Sequence, residues 1–530
     1  MRVCVIGCGA SGLTAIKCCL DENLKPTCFE KSHDIGGLWR FEESSKDGAT
    51  VYRSTVINTS KELMCFSDFP ILEDWPNFMH HTKVLQYYRS YAEKFGLLKH
   101  ITFSTEVLSC KPLPGTEKNW EVKTRNNVTG EEKCDVFDAV LVAVGHHAEP
   151  HFPVDEFEGL KTFNGRVLHS HDFRDFHGFE NKNVLIIGMG NSGADIAVEL
   201  SWHAKQVYLS TRSGAWVLHR VGPHGVPIDF VGLTRYQDFL TKLLPKKMIQ
   251  NVLERMLTAK MDHAHYGLKP TFAPTEQHPL VNDDLPNRII NGSIKIKSNV
   301  SGFTGDSALF VDDSEEAVDV VIFATGYKYS FPFLDTSVLE VKRNTECSLY
   351  KYMWPPHLDR SSLAVIGHIQ ALGAVNPVSE IQCRWATRVF KGLSKLPLEA
   401  EMMRDIKEKA RSMKNDFYST QRHTLEVKHV DYMDQIAEKI GVKPNLIKLF
   451  LTDYKLANKV FFEICSSYQF RLSGPGKWGK AREMIMTQKS RMFRPFHTRP
   501  LPKEVLKPKT SNFSIYVVIM MLAILVYCLL

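Results

Sequence analysis

Two glycine-rich hexapeptides in this chain have the residue spacing that binds a phosphate chain. The first occupies 7–12 and reads Gly-Cys-Gly-Ala-Ser-Gly, between an apolar segment at 3–6 and a helical pattern from Leu13 to about Glu22. In a G-x-G-x-x-G turn, the first glycine makes the bend, the second lets the backbone approach a pyrophosphate, and the third lets the helix pack on the strand. We therefore predict a dinucleotide site at 7–12.

An acidic residue, Glu30, follows the next predicted strand, at 27–29. A carboxylate at that position accepts a hydrogen bond from a ribose 2′-hydroxyl, and it repels a 2′-phosphate. The first site is therefore predicted to bind FAD or NAD rather than NADP.

The second hexapeptide, Gly-Met-Gly-Asn-Ser-Gly at 188–193, follows a predicted strand at 183–187. The next strand, at about 206–209, leads into Ser210, Thr211 and Arg212, and no acid stands there. Because an arginine beside two hydroxyl groups suits a 2′-phosphate, this second site is predicted to bind NADP.

Two β-rich apolar runs, at 139–145 and 320–326, follow the two hexapeptides in the same order, and an aspartate precedes each, Asp138 or Asp319. Runs of this kind close many dinucleotide-binding domains, although either alone also fits a core strand before a turn. Taken together, they predict an α/β fold with two nested Rossmann-like dinucleotide-binding domains, in which the NADP domain is inserted into the FAD domain.

The predicted domain boundaries follow from this nesting. They are an FAD-binding domain at 1–155 and 331–445, an NADP-binding domain at 156–330 with an insertion at about 215–275, a membrane-proximal extension at 446–510 and a transmembrane tail at 511–530. The insertion is predicted to be either a lid or membrane-facing surface, or ordinary surface helices; it contains Trp216, Phe230, Tyr236 and Phe239.

The net charge of this 530-residue chain is unevenly placed. A composition of 44% hydrophobic and 24% charged residues excludes a disordered or collagen-like protein. Of the net +7, the segment 489–509 carries seven basic residues against one acid. Residues 511–530 contain no charge, and a helix over 513–530 would be roughly 27 Å long, about the thickness of the endoplasmic reticulum bilayer.

These features predict a C-terminal transmembrane helix in the endoplasmic reticulum membrane, with the catalytic body on the cytosolic side. The apolar strand at the N-terminus leaves no room for a signal peptide. Since the basic excess is juxtamembrane and no recognition motif occurs, nucleic acid is not an expected partner. The scattered cysteines and the lack of a ligand constellation predict no metal site.

FAD and NADPH in one chain restrict the chemistry to two routes. Electrons pass through flavin either to a disulfide or acceptor protein, or to oxygen. A disulfide reductase would need a cysteine pair near the flavin, and after Glu30 the next cysteine is Cys65. The oxygen route therefore fits better.

The segment 163–173 then places the chain beside a known family. Phe163, Gly165, His169 and Phe173 fit the F-x-G-x-x-x-H-x-x-x-[Y/F] signature of flavin-containing monooxygenases. Several other stretches resemble the vertebrate microsomal enzymes, namely 36–39 (GGLW), 58–62 (NTSKE), 323–327 (FATGY) and 384–386 (RWA). The resemblance runs from end to end, and 282–288 and 419–424 look most like the fifth mammalian isoform.

The resemblance implies a set of site residues. Asn58 is the residue expected nearest to catalysis. FAD is expected to contact Gly7, Cys8, Gly9, Ala10, Ser11, Gly12, Glu30, Leu38, Trp39, Asn58 and Thr59. NADP is expected to contact Ile57 and Asn58 from the flavin side, and otherwise Gly188, Gly190, Ser192, Gly193, Ala194, Asp195 and, at the 2′-phosphate, Arg212.

The activity implied is that of an NADPH- and O2-dependent monooxygenase that forms a C4a-hydroperoxyflavin. It would oxygenate amine nitrogen or sulfur in lipophilic xenobiotics and metabolites, and it could also convert ketones by Baeyer–Villiger oxidation. Dedicated Baeyer–Villiger enzymes usually end the 163–173 motif in Trp, whereas Phe173 ends it here. The alternatives are a membrane-bound NADPH oxidase that releases hydrogen peroxide and a flavin disulfide reductase. Membrane lipid and a further copy of the chain are the other expected partners.

Overall fold

The computed structural model describes residues 1–43, 48–113, 119–147, 149–342, 346–358, 361–416 and 425–500. The predicted tail at 511–530, the segment 419–424 and the basic residues beyond 500 lie outside these ranges. Within the described ranges, no helix is both long enough and apolar enough to cross a membrane.

The strands of the described ranges are short, and most are two to five residues long. In chain order they are β1 Arg2–Ile6, β2 Lys25–Phe29, β3 Ile101–Thr102, β4 Thr105–Pro112, β5 Trp120–Asn126, β6 Glu132–Phe137, β7 Ala139–Val142, β8 Glu149–Pro150, β9 Arg166–His169, β10 Asn183–Ile187, β11 Gln206–Ser210, β12 Val217–Leu218, β13 Leu280–Val281, β14 Ile294–Lys297, β15 Val300–Phe303, β16 Ser307–Phe310, β17 Glu315–Ala317, β18 Val320–Phe323, β19 Tyr327–Lys328, β20 Val341–Lys342, β21 Glu346–Cys347, β22 Leu363–Val365, β23 Gln370–Leu372 and β24 Glu426–Lys428.

The α-helices of the same ranges lie in three groups: early in the chain, in the segment before β14, and after β23. In chain order they are α1 Ala10–Asp21, α2 Lys61–Met64, α3 His81–Lys94, α4 Asn191–Leu200, α5 Ile228–Gly232, α6 Arg235–Leu243, α7 Lys246–Thr258, α8 Leu285–Ile290, α9 Val375–Phe390, α10 Glu399–Asp416, α11 His429–Ile440, α12 Leu446–Thr452, α13 Tyr454–Phe462 and α14 Ala481–Phe493.

Two parallel five-stranded sheets form the centre of the molecule. The first has the order β22-β7-β1-β2-β3, and the second has the order β14-β11-β10-β18-β9. Their central strands are buried along nearly their whole length, which accounts for the continuous apolar runs in the sequence. The strands predicted beside each hexapeptide are therefore confirmed.

All strands of the second sheet lie in the chain between β7 and β22, which are neighbours in the first sheet. Each sheet contains a strand–turn–helix–strand unit, β1-α1-β2 or β10-α4-β11. Three-stranded antiparallel sheets follow β3 (β4-β5-β6) and β14 (β15-β16-β17). The carboxyl ends of β1 and β10 are thereby placed at the two glycine turns.

The two aspartates that precede the apolar runs have the same structural role. Asp138 Oδ2 accepts a hydrogen bond from the backbone nitrogen of Arg2 at 2.6 Å, and Asp319 Oδ2 accepts one from the backbone nitrogen of Asn183 at 2.7 Å. Each carboxylate therefore joins the start of the strand before a glycine turn to the start of the strand beside it. The symmetry supports reading the two units as copies of one motif.

The segment after α11 packs against the first part of the chain. Arg491 on α14 donates from Nε to Glu62 Oε1 on α2 at 3.0 Å, and the Asn77 side chain donates to the Met492 carbonyl at 2.8 Å. The side chains of Glu62 and Arg491 are only 1% and 10% exposed. Burial raises the pKa of Glu62, against the opposing attraction of Arg491, so the pair depends on both partners remaining in place.

We expect Arg491→Met to destabilise the protein strongly, because it leaves the Glu62 carboxylate buried without its cation. Breaking a buried pair in this way costs about 3–5 kcal/mol, which would lower both the thermal midpoint and the urea midpoint. The double variant Arg491→Met/Glu62→Gln should recover much of the loss.

The matched control is Arg494→Met. Arg494 and Glu73 are 60% and 55% exposed and lie 3.8 Å apart, so their pair should contribute at most about 1 kcal/mol. Equal losses of stability in the two single variants would contradict the role assigned to the buried pair.

Candidate functional site

The first glycine turn joins β1 to α1 and is closely packed. Gly7 has φ +92°, and a Cβ built on it would lie 2.8 Å from the Ala143 carbonyl oxygen. A Cβ on Gly12 would lie 1.9 Å from the Gly7 carbonyl oxygen. Both positions therefore exclude any side chain, as the sequence predicted for the bend and for the helix-on-strand contact.

Glu30 lies at the carboxyl end of β2, beside this turn. Its Oε2 accepts a hydrogen bond from the backbone nitrogen of Cys8 at 2.7 Å, and its Oε1 accepts from the backbone nitrogen and Oγ of Ser32. Gly9, the N-cap residue of α1, has no side chain with which to cap the helix. The first turn of α1 therefore keeps N–H groups that can receive an anion, and a carboxylate stands where a ribose would bind.

A second pair of glycines lies against the first turn. Gly36 has φ +113°, and a Cβ on Gly37 would lie 3.0 Å from the Cα of Gly9. The 3-10 turn Gly37–Trp39 that follows leaves Leu38 and Trp39 half-buried beside the same groove. The structure thus brings together 7–12, Glu30, Leu38 and Trp39, which the sequence separates by up to 32 residues.

The second glycine turn repeats this geometry. A Cβ on Gly188, which has φ +110°, would lie 2.5 Å from the Ala324 carbonyl oxygen, and one on Gly193 would lie 2.1 Å from the Gly188 carbonyl oxygen. Gly190, in contrast, has no atom within 4 Å of such a Cβ. The open space at Gly190, next to the uncapped start of α4, is where backbone can meet a pyrophosphate.

Arg212 follows β11 and is exposed. It lines an open cavity of about 1070 Å³ together with Thr211, Lys269, Lys295 and Lys297. Lys269 pairs with Glu254 and Lys297 pairs with Glu316, whereas Arg212 forms no ion pair with a described residue. The cation predicted for a 2′-phosphate is therefore available at the end of the second unit.

Asn58 is held by a residue from the other unit. The Arg220 guanidinium donates from Nη2 to Asn58 Oδ1 at 2.7 Å and pairs through Nη1 with Asp283 Oδ2 at 3.1 Å. Burial opposes the charge on Asp283, but hydrogen bonds from His219 and Arg220 outweigh it and lower the pKa of Asp283 to about 2. The pair is therefore charged at neutral pH, and it turns the Asn58 oxygen toward Arg220 and leaves the amide N–H groups as donors.

Asp195, on α4, joins the same network from the other side. Its Oδ2 accepts from the Tyr52 hydroxyl at 2.6 Å, and its Oδ1 accepts from the Asn282 amide at 2.7 Å. Burial raises the pKa of Asp195 and raises that of Tyr52 well above its ordinary value. Asn282 and Asp283 are consecutive, so the segment that carries them links Asp195 to Arg220 and hence to Asn58.

The 163–173 motif lies at the junction of the two units. Its strand β9 forms the edge of the second sheet, and a Cβ on Gly165 would lie 2.4 Å from the Asp319 carbonyl oxygen. Phe173 is buried and packs edge-on against Tyr52 with the ring centres 6.0 Å apart. The motif therefore contributes to the packing between the units.

Sequence reasoning missed four residues of this network: Tyr52, Arg220, Asn282 and Asp283. Asn282 and Asp283 belong to the segment 282–288, which was noted only for its resemblance to the fifth mammalian isoform. Arg220 belongs to the insertion at 215–275. An isolated arginine in a surface segment has no local signal, because its partner Asn58 is 162 residues away in the chain. Trp216, from the same insertion, is buried, whereas Phe239 is largely exposed.

A profile of the family described as flavin-binding monooxygenase-like matches residues 1–530. Flavin-containing monooxygenase 5 of Rattus norvegicus is 50% identical over 507 residues, which cover 95% of this chain and 94% of that protein. Flavin-containing monooxygenase 2 of Homo sapiens is 48% identical over 528 residues, which cover 99% of this chain and 97% of that protein. The two isoforms are thus nearly equally similar to the chain.

Solved structures match the same architecture. S-allyl-L-cysteine S-oxygenase from Allium sativum is 26% identical with a TM-score of 0.64, and the match covers 86% of this chain and 92% of that chain. Cyclohexanone monooxygenase from Rhodococcus sp. Phi1 bound to NADP+ is 16% identical with a TM-score of 0.60, covering 83% and 97%. At 16% identity, the likeness to cyclohexanone monooxygenase shows only a shared fold, the α/β fold with Rossmann-like sheets.

We expect Arg212→Ala to weaken the binding of NADP+ without changing that of NAD+, because only NADP+ carries the 2′-phosphate. Loss of a charge-assisted hydrogen bond of about 1.5–3 kcal/mol predicts a rise in Kd of roughly 10- to 100-fold. Titration of the FAD-loaded protein with NADP+ and with NAD+ would measure the two Kd values.

Lys269→Ala is the matched control, since Lys269 lines the same cavity but is paired with Glu254. A similar loss for NADP+ and NAD+ in Arg212→Ala would show that Arg212 does not contact the 2′-phosphate.

Proposed function

This chain belongs to the flavin-binding monooxygenase-like family, and from that membership we propose which of its residues carry out the reaction. It is an FAD-containing, NADPH-dependent monooxygenase that transfers an oxygen atom from O2 to a heteroatom. When bound, NADPH supplies the hydride, and FAD supplies the electron storage and oxygen chemistry. The chain itself contributes binding, orientation and shielding from water.

The proposed FAD site is the groove around the first glycine turn, formed by Gly7 to Gly12, Glu30, Leu38, Trp39, Asn58 and Thr59. Its support is the fit of a dinucleotide to this groove: the side-chain-free turn, the uncapped α1 N-terminus and a carboxylate at the end of β2. The proposed NADP site comprises Ile57, Asn58, Gly188, Gly190, Ser192 to Asp195 and Arg212, and the open space at Gly190 supports it.

Asn58 is the proposed catalytic residue. Its side chain is half-buried, and the Arg220–Asp283 pair, which belongs to the second unit, holds its oxygen. An amide held in this way presents N–H donors in a fixed direction, and it cannot act as an acid or a base at neutral pH. Such a group can stabilise a reacting oxygen without supplying a competing proton. The single observation that carries the proposal is this fixed amide at the junction of the two units.

The substrates we propose are lipophilic amines and thioethers. Near Asn58, the ionisable side chains of the described residues pair with one another: Asp283 lies 3.1 Å from Arg220 and 3.7 Å from His219. A nitrogen or sulfur lone pair needs no base to activate it. Ketones are the second candidate class, and the Phe173 that ends the motif, where dedicated ketone-oxidising members usually have Trp, ranks them lower.

Two other reactions would use the same cofactors. Release of hydrogen peroxide requires only that oxygen transfer fails, so it is a matter of coupling. Disulfide reduction requires a reactive thiol near the flavin. Cys8, within the first turn, is buried, and so is Cys28 on β2, which donates to the Gly7 carbonyl. Burial raises the pKa of Cys28 well above the ordinary value, which keeps Cys28 a neutral and poorly nucleophilic thiol.

The experiment that tests the function compares NADPH consumed with product formed for one tertiary amine, one thioether and one ketone. The proposal expects the N-oxide and sulfoxide to account for most of the NADPH, and the ester to form more slowly. Hydrogen peroxide as the main product with all three substrates would identify an oxidase. Faster ester formation would reverse the substrate order.

We expect Asn58→Ala to retain FAD but to lose product formation by about 100-fold, the usual effect of removing one donor that stabilises a developing negative oxygen. Hydrogen peroxide should then account for most of the NADPH consumed. Asn58→Asp is the sharper variant, because its carboxylate still accepts from Arg220 but has no N–H to donate. Normal sulfoxide yield in Asn58→Asp would show that the amide donor has no catalytic role.

The proposed location is the endoplasmic reticulum membrane, with the body on the cytosolic side. Beyond the predicted tail at 511–530, an exposed apolar surface supports it. We assign to this surface the exposed apolar side chains of Phe239 and Leu243 on α6, of Met248, Val252 and Met256 on α7, which follows α6 directly in the chain, and of Ile447, Leu451 and Tyr454 in and after α12. Phe461 joins α6 to α12, with ring centres 6.3 Å from Phe239 and 6.4 Å from Phe450.

Lysines and arginines flank this surface at 242, 246, 247, 255, 448 and 455. An apolar face with a basic rim is typical of proteins that lie on an anionic bilayer. We propose that it rests on the same membrane that holds the tail, so that substrates dissolved in lipid have a short path to the site. We also propose that the domain boundaries of the chain lie at residues 155, 330 and 445.

We expect a chain ending at residue 510 to remain bound to vesicles of endoplasmic reticulum lipid composition in a flotation assay. Val252→Asp/Leu451→Asp should release it, because two charges would enter the apolar layer. Val128→Asp, at an 80% exposed apolar position on the loop between β5 and β6, is the control. Release of the 510-residue chain without any substitution would leave the tail as the only anchor.

A further inference from the structure

The loop between β12 and α5, which belongs to the insertion, contacts the Asn58 segment at two points. At the start of the loop, Arg220 donates from Nη2 to Asn58 Oδ1 at 2.7 Å. At its end, Asp229 on α5 accepts at Oδ2 from the backbone nitrogen of Ser60 at 2.6 Å. Ser60 lies two residues after Asn58, so both contacts act on the same short stretch of backbone.

The loop itself fixes the distance between these two contact points. The Ile228 nitrogen donates to the Arg220 carbonyl at 2.8 Å, and the Gly222 nitrogen donates to the Val226 carbonyl at 2.7 Å. A Cβ on Gly222 would lie 3.1 Å from the Val226 carbonyl oxygen, so the turn is closely packed. Because Asp229 directly follows Ile228, these bonds place its carboxylate relative to Arg220.

The first unit holds the two ends of the contacted stretch. The Ile57 nitrogen donates to the Met79 carbonyl at 3.0 Å, and the Lys61 nitrogen donates to the Asn77 carbonyl at 2.9 Å. The Ser60 nitrogen, which lies between them, donates to the insertion instead. The backbone beside Asn58 is therefore restrained from the second unit as well as from its own.

We propose, on the basis of the catalytic role proposed for Asn58, that Asp229 is a positioning residue: it holds the Ser60 N–H and thereby keeps the Asn58 amide in its catalytic orientation. A carboxylate suits this task, because a hydrogen bond to an ionised acceptor is stronger than one to a neutral acceptor. Asp229 is only 6% exposed, and a buried carboxylate is costly unless its hydrogen bonds are kept. The bond therefore restrains both partners.

The bond between Asp229 and Ser60 should weaken in mild acid. Burial raises the pKa of Asp229 to about 6, against the hydrogen bonds from Ser60 and from the start of α5. Above that pH the carboxylate is ionised and the bond is charge-assisted, whereas below it the carboxyl group is neutral and accepts more weakly.

The charged and titratable side chains on the neighbouring segments have other partners or face water. Lys61 donates to the Leu72, Glu73 and Trp75 carbonyls, Glu62 pairs with Arg491, Arg220 and His219 lie beside Asp283, Arg235 pairs with Asp434, and His224 is exposed. Replacing the carboxylate at position 229 alone therefore isolates its own titration from theirs.

Asp229→Asn tests the positioning role, because its amide oxygen can still accept from Ser60 but is neutral at every pH. Sulfoxide formed per NADPH consumed is measured on the full-length, FAD-loaded enzyme from about pH 5 to pH 8. In the unchanged protein the yield should fall about three- to tenfold as the pH falls through about 6, with hydrogen peroxide rising in its place. In Asp229→Asn the yield should be low throughout, and a step near pH 6 of unchanged size would overturn the proposal.

A double variant tests whether Asp229 acts through Asn58. Adding Asp229→Asn to Asn58→Ala should cause no further loss of the residual sulfoxide rate, because the group that Asp229 positions is already absent. A further loss as large as in the unchanged background would show that Asp229 affects the reaction by another route.

Amide hydrogen exchange gives a readout that does not depend on the chemistry. At pH 7 the Ser60 amide of Asp229→Asn should exchange about tenfold faster than that of the unchanged protein, since a charge-assisted hydrogen bond has become a neutral one. Equal protection, or normal yield in Asp229→Asn where Asn58→Asp has lost it, would overturn the positioning role. Normal yield in both variants would instead overturn the catalytic role of Asn58, and the positioning role with it.

Asp434→Asn is the matched control. Asp434 is a partly buried carboxylate on α11 that accepts from Arg235 at 2.6 Å, and it ties α6, the helix after α5, to the first unit. This variant should lower the thermal midpoint but keep the yield, the step near pH 6 and the protection of the Ser60 amide. Loss of all three in Asp434→Asn would show that loosening the insertion anywhere is sufficient, and that Asp229 has no particular role.

Discussion

The pairing of Arg220 with Asp283 is the interaction on which the junction of the two dinucleotide units depends. Arg220 is partly withdrawn from water, so its charge needs a fixed counter-charge. The Asp283 carboxylate supplies it and accepts hydrogen bonds from both the guanidinium and the backbone nitrogen of Arg220. The remaining guanidinium hydrogen bond goes to Asn58 in the first unit. Asn282, the neighbour of Asp283, holds Asp195 beside Tyr52. One short segment thereby fixes the polar groups that face both proposed cofactor sites.

The C-terminal helices brace the same region from behind. Arg491 pairs with Glu62, four residues after Asn58, and Asp229 of the insertion accepts from the Ser60 backbone nitrogen at 2.6 Å. Burial raises the pKa of Asp229 to about 6, despite the hydrogen bonds from Ser60 and from the start of α5. The 58–62 segment is thus held between the insertion and the extension, which explains why an otherwise loop-like asparagine can keep one orientation.

The sequence predicts those site residues that lie close together in the chain, and it misses those whose partners are distant. The glycine turns, their flanking strands, Glu30 and Arg212 all belong to units of about 30 residues, so local spacing suffices to find them. Asp138 and Asp319 are found because each repeats in the same place in a unit. Arg220, Tyr52 and Asp283 act across 63 to 162 residues, and their type is also that of ordinary surface residues. Only the folded arrangement distinguishes them, although Asn58 itself is found through the resemblance to flavin-containing monooxygenases.

The charged groups near Asn58 are used for position rather than for proton transfer. Asp283 stays ionised because Arg220 and His219 lower its pKa to about 2, and Tyr52 stays protonated because burial raises its pKa well above the ordinary value. Neither group titrates near neutral pH, so neither can take a proton from a substrate in that range. A site built in this way suits substrates that arrive with a free lone pair.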